Sequence, residues 1–292
     1  MNLSFRKGMA LCSLTLIVML SACSKNNDST PGGQNPYGNP PVTTPATSSL
    51  ALTTNAKFGS ILTDANGKSL YAFAIDANGT SGCSGSCAIA WMPYYAGNET
   101  APTGITAKDI STITRADGKK QTVYKGWPLY YFSGDATKGD VNGDGSGGTW
   151  FIAKPDYSLM FANNQLVGGI DGKNYTADGK EGTGITQYLT DAAGRTLYAY
   201  APDQFNLNTY TKADLSNDGA WPIYESDVLN VPSVIKKDML VQITAAGKKQ
   251  LTYKGHPLYY FGADAKRGDT RGVNVGAGLW PILTVNTIAL TP

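Results

Sequence analysis

The residues best suited to chemistry in this chain are two cysteines and a single histidine. Cys83 and Cys87 lie four positions apart in a glycine-rich stretch, and His256 lies far along the sequence. Thiolates together with an imidazole select copper(I). In an oxidising compartment, however, the same cysteines form a local disulfide. We predict the disulfide, and a copper or thiol redox accessory protein that uses all three residues is the alternative.

A second candidate site is an acidic stretch in a glycine-rich loop. Asp140, Asn142 and Asp144 alternate along the chain and precede Gly145. Alternating oxygen ligands around a glycine turn are typical of the first half of a calcium loop. Phe151 stands where such a loop needs a bidentate carboxylate, so a hydrated loop without metal is the simpler interpretation. Apart from calcium here or copper at the cysteines, no cofactor is expected.

Tyrosine, a second aromatic residue and aspartate recur four times with the spacing Tyr-x-aromatic-x-x-Asp. The rings would fill a core while each aspartate accepts backbone N–H bonds where its strand ends. Alternatively, the rings form a platform for sugar or peptide and the carboxylate orients the ligand. We predict the structural role, because similar copies are what a structural repeat needs. The motif residues are Tyr71, Phe73, Asp76; Tyr130, Phe132, Asp135; Tyr198, Tyr200, Asp203; and Tyr259, Phe261, Asp264.

No arrangement of residues in the sequence indicates an enzyme. His256, the only histidine, is replaced by Trp127 in the sister copy of its segment, which argues against a Ser–His or Cys–His centre. No carboxylate pair stands out for glycoside cleavage. The formal net charge is +2, and no run of Lys or Arg supplies the basic face that a nucleic-acid partner needs. A non-enzymatic protein that does not bind nucleic acid is predicted.

The spacing of the motifs predicts the elements that position them. Tyr71 and Tyr130 return as Tyr198 and Tyr259 after about 128 residues, which indicates an internal duplication. Each copy contains alternating apolar runs separated by glycine turns, and no stretch shows sustained helical periodicity. The prediction is an all-β fold of two tandem similar lobes, built from meander and hairpin strands as a sandwich or small barrel.

Particular turns divide the predicted strands. The segments 64–67 and 191–194 are hairpin turns in the two copies. Three successive strands are predicted over Ile110–Phe132, and the same plan is predicted over Met239–Phe261. The segments 150–154 and 280–286 are predicted as closing strands, and 157–167 as a further strand of the first lobe.

The first residues resemble the signal and lipobox of bacterial lipoproteins. Two cationic residues precede a short apolar run, and Leu20-Ser21-Ala22-Cys23 follows. The resemblance implies cleavage before Cys23 and acylation of that residue, which would anchor the protein to a membrane. Ser24, rather than Asp, follows the lipid site and favours the outer membrane. Residues rich in Ser, Thr, Asn, Pro and Gly then predict a disordered tether.

These features predict a signal peptide over 1–22, a lipidated tether over 23–56, a first lobe over 57–167, and a connector with the second lobe over 168–292. The repeated motif, the phrase Y-K-G-x-P-L-Y-Y-F and the lipobox together resemble the bacterial lipoprotein family known as the secreted repeat of unknown function. The resemblance implies a cell-envelope address and no established activity. We expect a binding or structural module with an envelope protein or a glycan as its partner. A glycan-active surface protein is a further alternative.

Overall fold

The computed structural model describes residues 49–97, 100–276 and 278–292. The predicted signal peptide, the predicted lipidation at Cys23 and most of the predicted tether lie outside the described residues. The first lobe contains these strands in chain order: β1 (Leu50–Asn55), β2 (Gly59–Asp64), β3 (Tyr71–Phe73), β4 (Trp91–Pro93), β5 (Ile110–Thr114), β6 (Lys120–Tyr124), β7 (Trp127–Phe132) and β8 (Trp150–Ile152).

The second lobe has fewer regular strands. They are β9 (Met160–Val167), β10 (Asn174–Tyr175), β11 (Ile185–Thr190), β12 (Leu240–Ala245), β13 (Lys248–Tyr253) and β14 (His256–Pro257). The helical segments are short: one α-helical turn, α1 (Cys87–Ala90), and the 3₁₀ segments Ala74–Asn78, Ala107–Asp109, Ser146–Gly148, Lys237–Met239 and Arg271–Asn274. No helix among the described residues has the length and apolar character needed to cross a membrane.

The strands pair antiparallel in open sheets. In the first lobe a six-stranded sheet has the order β5-β6-β7-β3-β8 with β4 on β7, and β1 pairs with β2. In the second lobe β9 lies between β10 and β11, and β12, β13 and β14 form a meander. The predicted all-β fold with two tandem lobes is therefore confirmed. No sheet in the described part of the chain closes on itself, so the small-barrel alternative does not apply.

The second lobe keeps the strand arrangement of the first with single bridges in place of ladders. Tyr71 pairs with Tyr130 and Ile152, while Tyr198 bridges Tyr259 and Ile282. Two prolines account for the difference, because a proline nitrogen cannot donate to a ladder. They are Pro222, next to Trp221, and Pro281, which interrupts the closing strand predicted over 280–286.

Strand pairing moves the predicted boundary between the lobes. The prediction placed 157–167 in the first lobe, but residues 160–165 of β9 pair with β11 of the second lobe. β1 and β2 pair in the same way in the first lobe. Strand β9 is thus the second-lobe counterpart of β1, and the second lobe begins before Met160 rather than at residue 168.

The folded part also begins earlier than predicted. Residues 50–55 were assigned to a disordered tether because the segment 24–55 as a whole is rich in Ser, Thr, Asn, Pro and Gly, yet they form β1. Leu50 pairs with Asp64 and Leu52 with Leu62, and Leu50 is buried in a core cluster against which Leu52 packs. The two leucines therefore anchor a short strand whose second half is polar.

The hydrophobic core is shared by the two lobes. The largest buried cluster includes Trp127 and Phe151 of the first lobe together with Tyr198, Trp221 and Tyr253 of the second. Two smaller clusters lie within the first lobe, one of them around Tyr71, Trp91 and Trp150. Because burial of apolar surface is the dominant favourable term in folding, the shared cluster ties the stability of each lobe to the other.

Candidate functional site

The two motifs of the first lobe exchange hydrogen bonds. Tyr71 on β3 lies directly opposite Tyr130 on β7. The Tyr71 hydroxyl donates to Asp135 Oδ2 at 2.6 Å, and the Tyr130 hydroxyl donates to Asp76 Oδ2 at 2.5 Å. Each aspartate therefore serves the tyrosine of the other motif. The fixed spacing of tyrosine and aspartate within each motif is consistent with this exchange, in which each motif supplies one hydroxyl and one carboxylate.

The second lobe repeats the exchange. Tyr198 and Tyr259 bridge each other across two short extended segments. The Tyr198 hydroxyl donates to Asp264 Oδ2 at 2.8 Å, and the Tyr259 hydroxyl donates to Asp203 Oδ2 at 2.6 Å. The exchange thus persists although the regular strands around it are lost.

The other carboxylate oxygen of each motif aspartate holds the loop that follows. This is the predicted role of the aspartates, and each Oδ1 accepts a backbone N–H from six or seven residues farther along the chain. The donors are Gly82 to Asp76 at 2.7 Å, Asn142 to Asp135 at 2.9 Å, Thr209 to Asp203 at 2.6 Å and Arg271 to Asp264 at 2.9 Å. The four carboxylates therefore link the paired motifs to their loops.

Burial decides the protonation of these groups. The four motif tyrosines are fully buried, and burial raises each hydroxyl pKa above its ordinary value. Desolvation raises the pKa of Asp76 to about 7 and that of Asp264 to about 7, although their hydrogen-bond donors favour the charged form. The pKa of Asp203 is also raised by desolvation. Shifted carboxyl groups can mark catalytic sites, but these are enclosed and bonded to their own fold.

The second aromatic residue of each motif belongs to a stack of rings. In the first lobe the Phe73 ring lies 3.9 Å from Trp150, Trp150 lies 3.8 Å from Trp91, and Trp91 lies 4.4 Å from Phe132. The second-lobe stack follows the same order through Tyr200, Trp280, Trp221 and Phe261. The rings pack against one another, as the predicted structural role requires, and Phe132, Tyr200 and Phe261 are partly buried.

A further pair of tyrosine–aspartate bonds was missed from the sequence. The Tyr131 hydroxyl donates to Asp64 Oδ2 at 3.0 Å, and the Tyr260 hydroxyl donates to Asp191 Oδ2 at 2.8 Å. Both acceptors are the first residues of the predicted hairpin turns. A sequence signal for these bonds exists, because both copies contain two consecutive tyrosines and an aspartate at the hairpin turn. The sequence does not show, however, that the second tyrosine contacts this aspartate.

The predicted disulfide is confirmed. Cys83 and Cys87 are joined with an S–S distance of 1.98 Å, and α1 begins at Cys87. The Cys83 carbonyl accepts a hydrogen bond from Arg115 Nη2 at 2.8 Å. His256 lies in the other lobe, where its Nε2 is 2.9 Å from the Ile288 carbonyl oxygen. The two sulfurs that the copper hypothesis needs are therefore bonded to each other, and the imidazole that it needs contacts a carbonyl oxygen in the other lobe.

The acidic loop is held by its own hydrogen bonds. The Asp140 carboxylate accepts bonds from the backbone N–H and the hydroxyl of Thr137, both at 2.8 Å. Asp144 Oδ1 accepts the Ile152 N–H at 2.9 Å, and Asn142 Nδ2 donates to a carbonyl at 3.2 Å. Within the described ranges, no three acidic, histidine or cysteine side chains cluster as metal ligands do. Calcium binding remains a prediction, and it would have to replace these bonds.

An open cleft of about 460 Å³ lies between the lobes. Its lining includes an amine, carboxylates and hydroxyls, with Ala192 and two tyrosines contributing apolar surface. Such a lining can hydrogen-bond a small polar molecule. The polar residues at the cleft include Lys108, Asp109, Ser111, Asp191 and Ser226.

Three segments of the chain, residues 52–94, 111–154 and 241–284, match a protein family described as a secreted repeat of unknown function. The chain therefore carries three copies of this secreted repeat. The first two repeats together build the first lobe, and the third supplies the latter part of the second lobe. Tyr198 and Asp203 occupy a fourth equivalent position, which the structure identifies from its hydrogen bonds. No curated protein and no solved structure matches the chain.

Proposed function

We propose that this secreted-repeat protein is a non-enzymatic structural or binding module of the bacterial cell envelope. The observation that carries the proposal is the reciprocal exchange of hydrogen bonds between paired motifs. All four motif carboxylates are bonded to a tyrosine and a loop N–H. The residues that give the family its motif therefore serve folding, and function falls to the loops and clefts that they support.

Attachment through a lipid on Cys23 is the second part of the proposal. Small residues precede this cysteine after an apolar run, and the family is described as secreted. Acylation would hold the module at a membrane, with the outer membrane favoured by Ser24. The segment before β1 would then serve as the tether between lipid and fold.

Replacement of the lipid site tests the attachment. We expect Cys23→Ala to abolish incorporation of an alkyne-labelled fatty acid and to move the protein from the membrane fraction. Cys12→Ala is the matched control, since Cys12 lies in the predicted signal peptide, and it should leave labelling unchanged. Labelling of Cys23→Ala at the wild-type level would contradict lipid attachment, whereas the structural role of the motifs would be unaffected.

The cleft between the lobes favours a binding role for a small polar ligand such as a glycan. Residues with hydroxyl, amine and carboxylate groups line an opening large enough for such a ligand. We expect a screen of envelope oligosaccharides by calorimetry to find a binder that is lost in Ser111→Trp, which fills the cleft. Ser60→Trp, on an exposed position of β2, is the control. Cleavage of any oligosaccharide in the screen would contradict the non-enzymatic assignment.

A further inference from the structure

The cleft between the lobes is bordered by segments that have an equivalent elsewhere in the chain. The first lobe contributes residues of the 3₁₀ segment Ala107–Asp109 and of β5, whose second-lobe equivalents are Lys237–Met239 and β12. The second lobe contributes the hairpin turn 191–194, whose first-lobe equivalent is the turn 64–67. Each segment can therefore be compared with an equivalent that lies in the other lobe.

Two charged residues of the cleft have the same structural role in both lobes. Asp191 accepts two backbone N–H bonds and one tyrosine hydroxyl, as its equivalent Asp64 does. The Lys125 amine donates to a backbone carbonyl at 2.7 Å, and the equivalent Lys254 amine does so at 2.8 Å. Because these bonds recur in both lobes, we assign both charges to the fold itself.

Three other polar side chains at the cleft are not used in this way. They belong to Lys108, Asp109 and Ser111, which line the cleft from the first lobe. Among the described residues, none of the three side chains has a hydrogen-bond or ion-pair partner. A cation, a carboxylate and a hydroxyl are therefore available to a ligand.

The second lobe lacks these three groups. Asp109 and Met239 are equivalent positions, because the carbonyl of each accepts a backbone N–H at 2.7 Å from the lysine of a glycine turn. The residues before them are Lys108 and Asp238, so the cation is replaced by an acid. Val241 stands in place of the serine. The available polar groups thus occur only in the lobe whose segment lines the cleft.

The hairpin turn of the second lobe differs from its equivalent in the opposite sense. Ala192 and Ala193 line the cleft. Ala193 stands at the third position of its turn, where the first lobe has Asn66, a polar and exposed residue. The second lobe therefore contributes small apolar side chains to the cleft, while the first lobe contributes the available charges.

We infer that the cleft binds a small zwitterion, an amino acid or a short peptide with both ends free, and this inference rests on the proposed binding role of the cleft. Lys108 binds the carboxylate of the ligand and Asp109 its ammonium group, while small side chains of the ligand pack on Ala192 and Ala193. A singly charged ligand meets one attractive and one repulsive charge, whereas each charge of a zwitterion meets an opposite one.

Equilibrium dialysis of the full-length chain in detergent micelles against radiolabelled alanyl-alanine tests the inference. Two unlabelled competitors each lack one charge: the N-acetyl derivative lacks the ammonium, and the C-terminal amide lacks the carboxylate. Because exposed ion pairs are individually weak, we expect each competitor to bind about threefold more weakly than alanyl-alanine. Equal competition by all three compounds would contradict the inference.

Two substitutions assign the charges. Lys108→Met should remove the difference between alanyl-alanine and its amide, and Asp109→Asn should remove the difference between alanyl-alanine and its N-acetyl derivative. Asp238→Asn, at the second-lobe equivalent of Lys108, is the matched control and should preserve both differences. The three side chains are exposed or partly exposed, so the melting temperatures should stay at the wild-type value. Both differences persisting in folded Lys108→Met and Asp109→Asn would overturn the assignment.

Failure of this inference is distinguishable from failure of the proposed binding role. An oligosaccharide that binds the chain and is lost in Ser111→Trp, without any retention of alanyl-alanine, would overturn the zwitterion and leave the binding role in place. Retention of neither kind of ligand would overturn both. Retention of alanyl-alanine that is lost in Ser111→Trp would place the zwitterion in the cleft.

Discussion

The two lobes share their tyrosine–aspartate bonds, their stacked tryptophans and their hairpins, but differ in the regular strand pairing around the motifs and in the disulfide. The first lobe has a six-stranded sheet and a disulfide. The second has bridges at the equivalent positions, with Pro222 and Pro281 interrupting the ladders. A Tyr210 ring packs on Tyr200 and Trp280 in the second lobe, where the first lobe has no equivalent contact among its described residues.

This difference separates what the fold requires from what it tolerates. Ladder hydrogen bonds and the disulfide are lost between the lobes without loss of the arrangement, whereas the reciprocal bonds and ring stacks are kept. A net hydrogen bond in a ladder contributes about 1 kcal/mol, but a buried donor left unpaired costs about 1–3 kcal/mol. Each buried tyrosine hydroxyl therefore constrains the fold more strongly than any single ladder hydrogen bond does.

Removal of a stacked tryptophan should have the largest effect. We expect Trp150→Ala and Trp280→Ala each to lower the free energy of unfolding by about 3–5 kcal/mol, because each ring lies within a closed stack. Their partner distances are nearly equal, 3.8 Å to Trp91 and 3.7 Å to Trp221. Urea denaturation followed by circular dichroism measures both. A large loss in one lobe alone would show that the stacks are not equivalent.

Removal of a motif carboxylate should come next. Asp135→Ala and Asp264→Ala each leave a buried tyrosine hydroxyl and a loop N–H without an acceptor, with an expected cost of about 2–5 kcal/mol. Tyr71→Phe and Tyr198→Phe leave one carboxylate oxygen without its donor and release only the long bonds that Gly143 and Gly272 donate to the tyrosine oxygens, at 3.3 and 3.2 Å, so they should cost less. The same denaturation series ranks them. Equal costs for the aspartate and tyrosine variants would contradict the importance of the unpaired groups.

The buried carboxyl groups predict a pH dependence of stability. The folded-state pKa values of Asp76 and Asp264 are about 7, above the value of about 3.9 in an unfolded chain. Between these pH values the folded state binds more protons than the unfolded state. The two carboxyl groups therefore contribute fully to the free energy of unfolding below about pH 4, and this contribution is lost as the pH rises to about 7. The difference between the urea denaturation midpoints at pH 4.5 and 7.5 measures this slope of stability with pH. Asp76→Asn and Asp264→Asn should each flatten it, and unchanged slopes would contradict the shifts.

Loss of the disulfide should have the smallest effect. The bridge closes a short loop, so the Cys83→Ala and Cys87→Ala double variant should lose no more than about 2 kcal/mol. The second lobe keeps the same arrangement of motifs and rings without such a bridge, which supports a local role for it. Thermal denaturation with and without reductant measures the loss. A collapse of the whole fold would show that the first lobe depends on its disulfide in a way that the second does not.

Local chemistry was sufficient to predict part of this structure. The meander of β5, β6 and β7 follows from alternating residues and glycine turns, and the loop-holding role of the aspartates follows from their position at strand ends. Two cysteines four positions apart in a glycine-rich turn predicted the disulfide. In each case the determining partners lie within about a dozen residues of one another.

Contacts between residues far apart in the sequence could not be predicted from local chemistry. Nothing local states that Tyr71 uses Asp135 rather than Asp76, because the choice depends on β3 pairing with β7. Strand β1 continues a polar segment in the sequence, and its order depends on pairing with β2 and on core contacts of Leu50. Strand β9 follows the first lobe along the chain but pairs with the second. The lobe boundary and the core of the site both depend on contacts that form only when the whole unit folds.

The exchange of aspartates between motifs sets a rule for how such proteins can grow. A single repeat carries a tyrosine whose acceptor belongs to its neighbour, so it is an incomplete unit by itself. Gain or loss of one repeat would leave a buried tyrosine hydroxyl without its acceptor, whereas gain or loss of two repeats would not. Related chains should therefore evolve by whole pairs, and a chain with an odd count should borrow its missing carboxylate from another molecule.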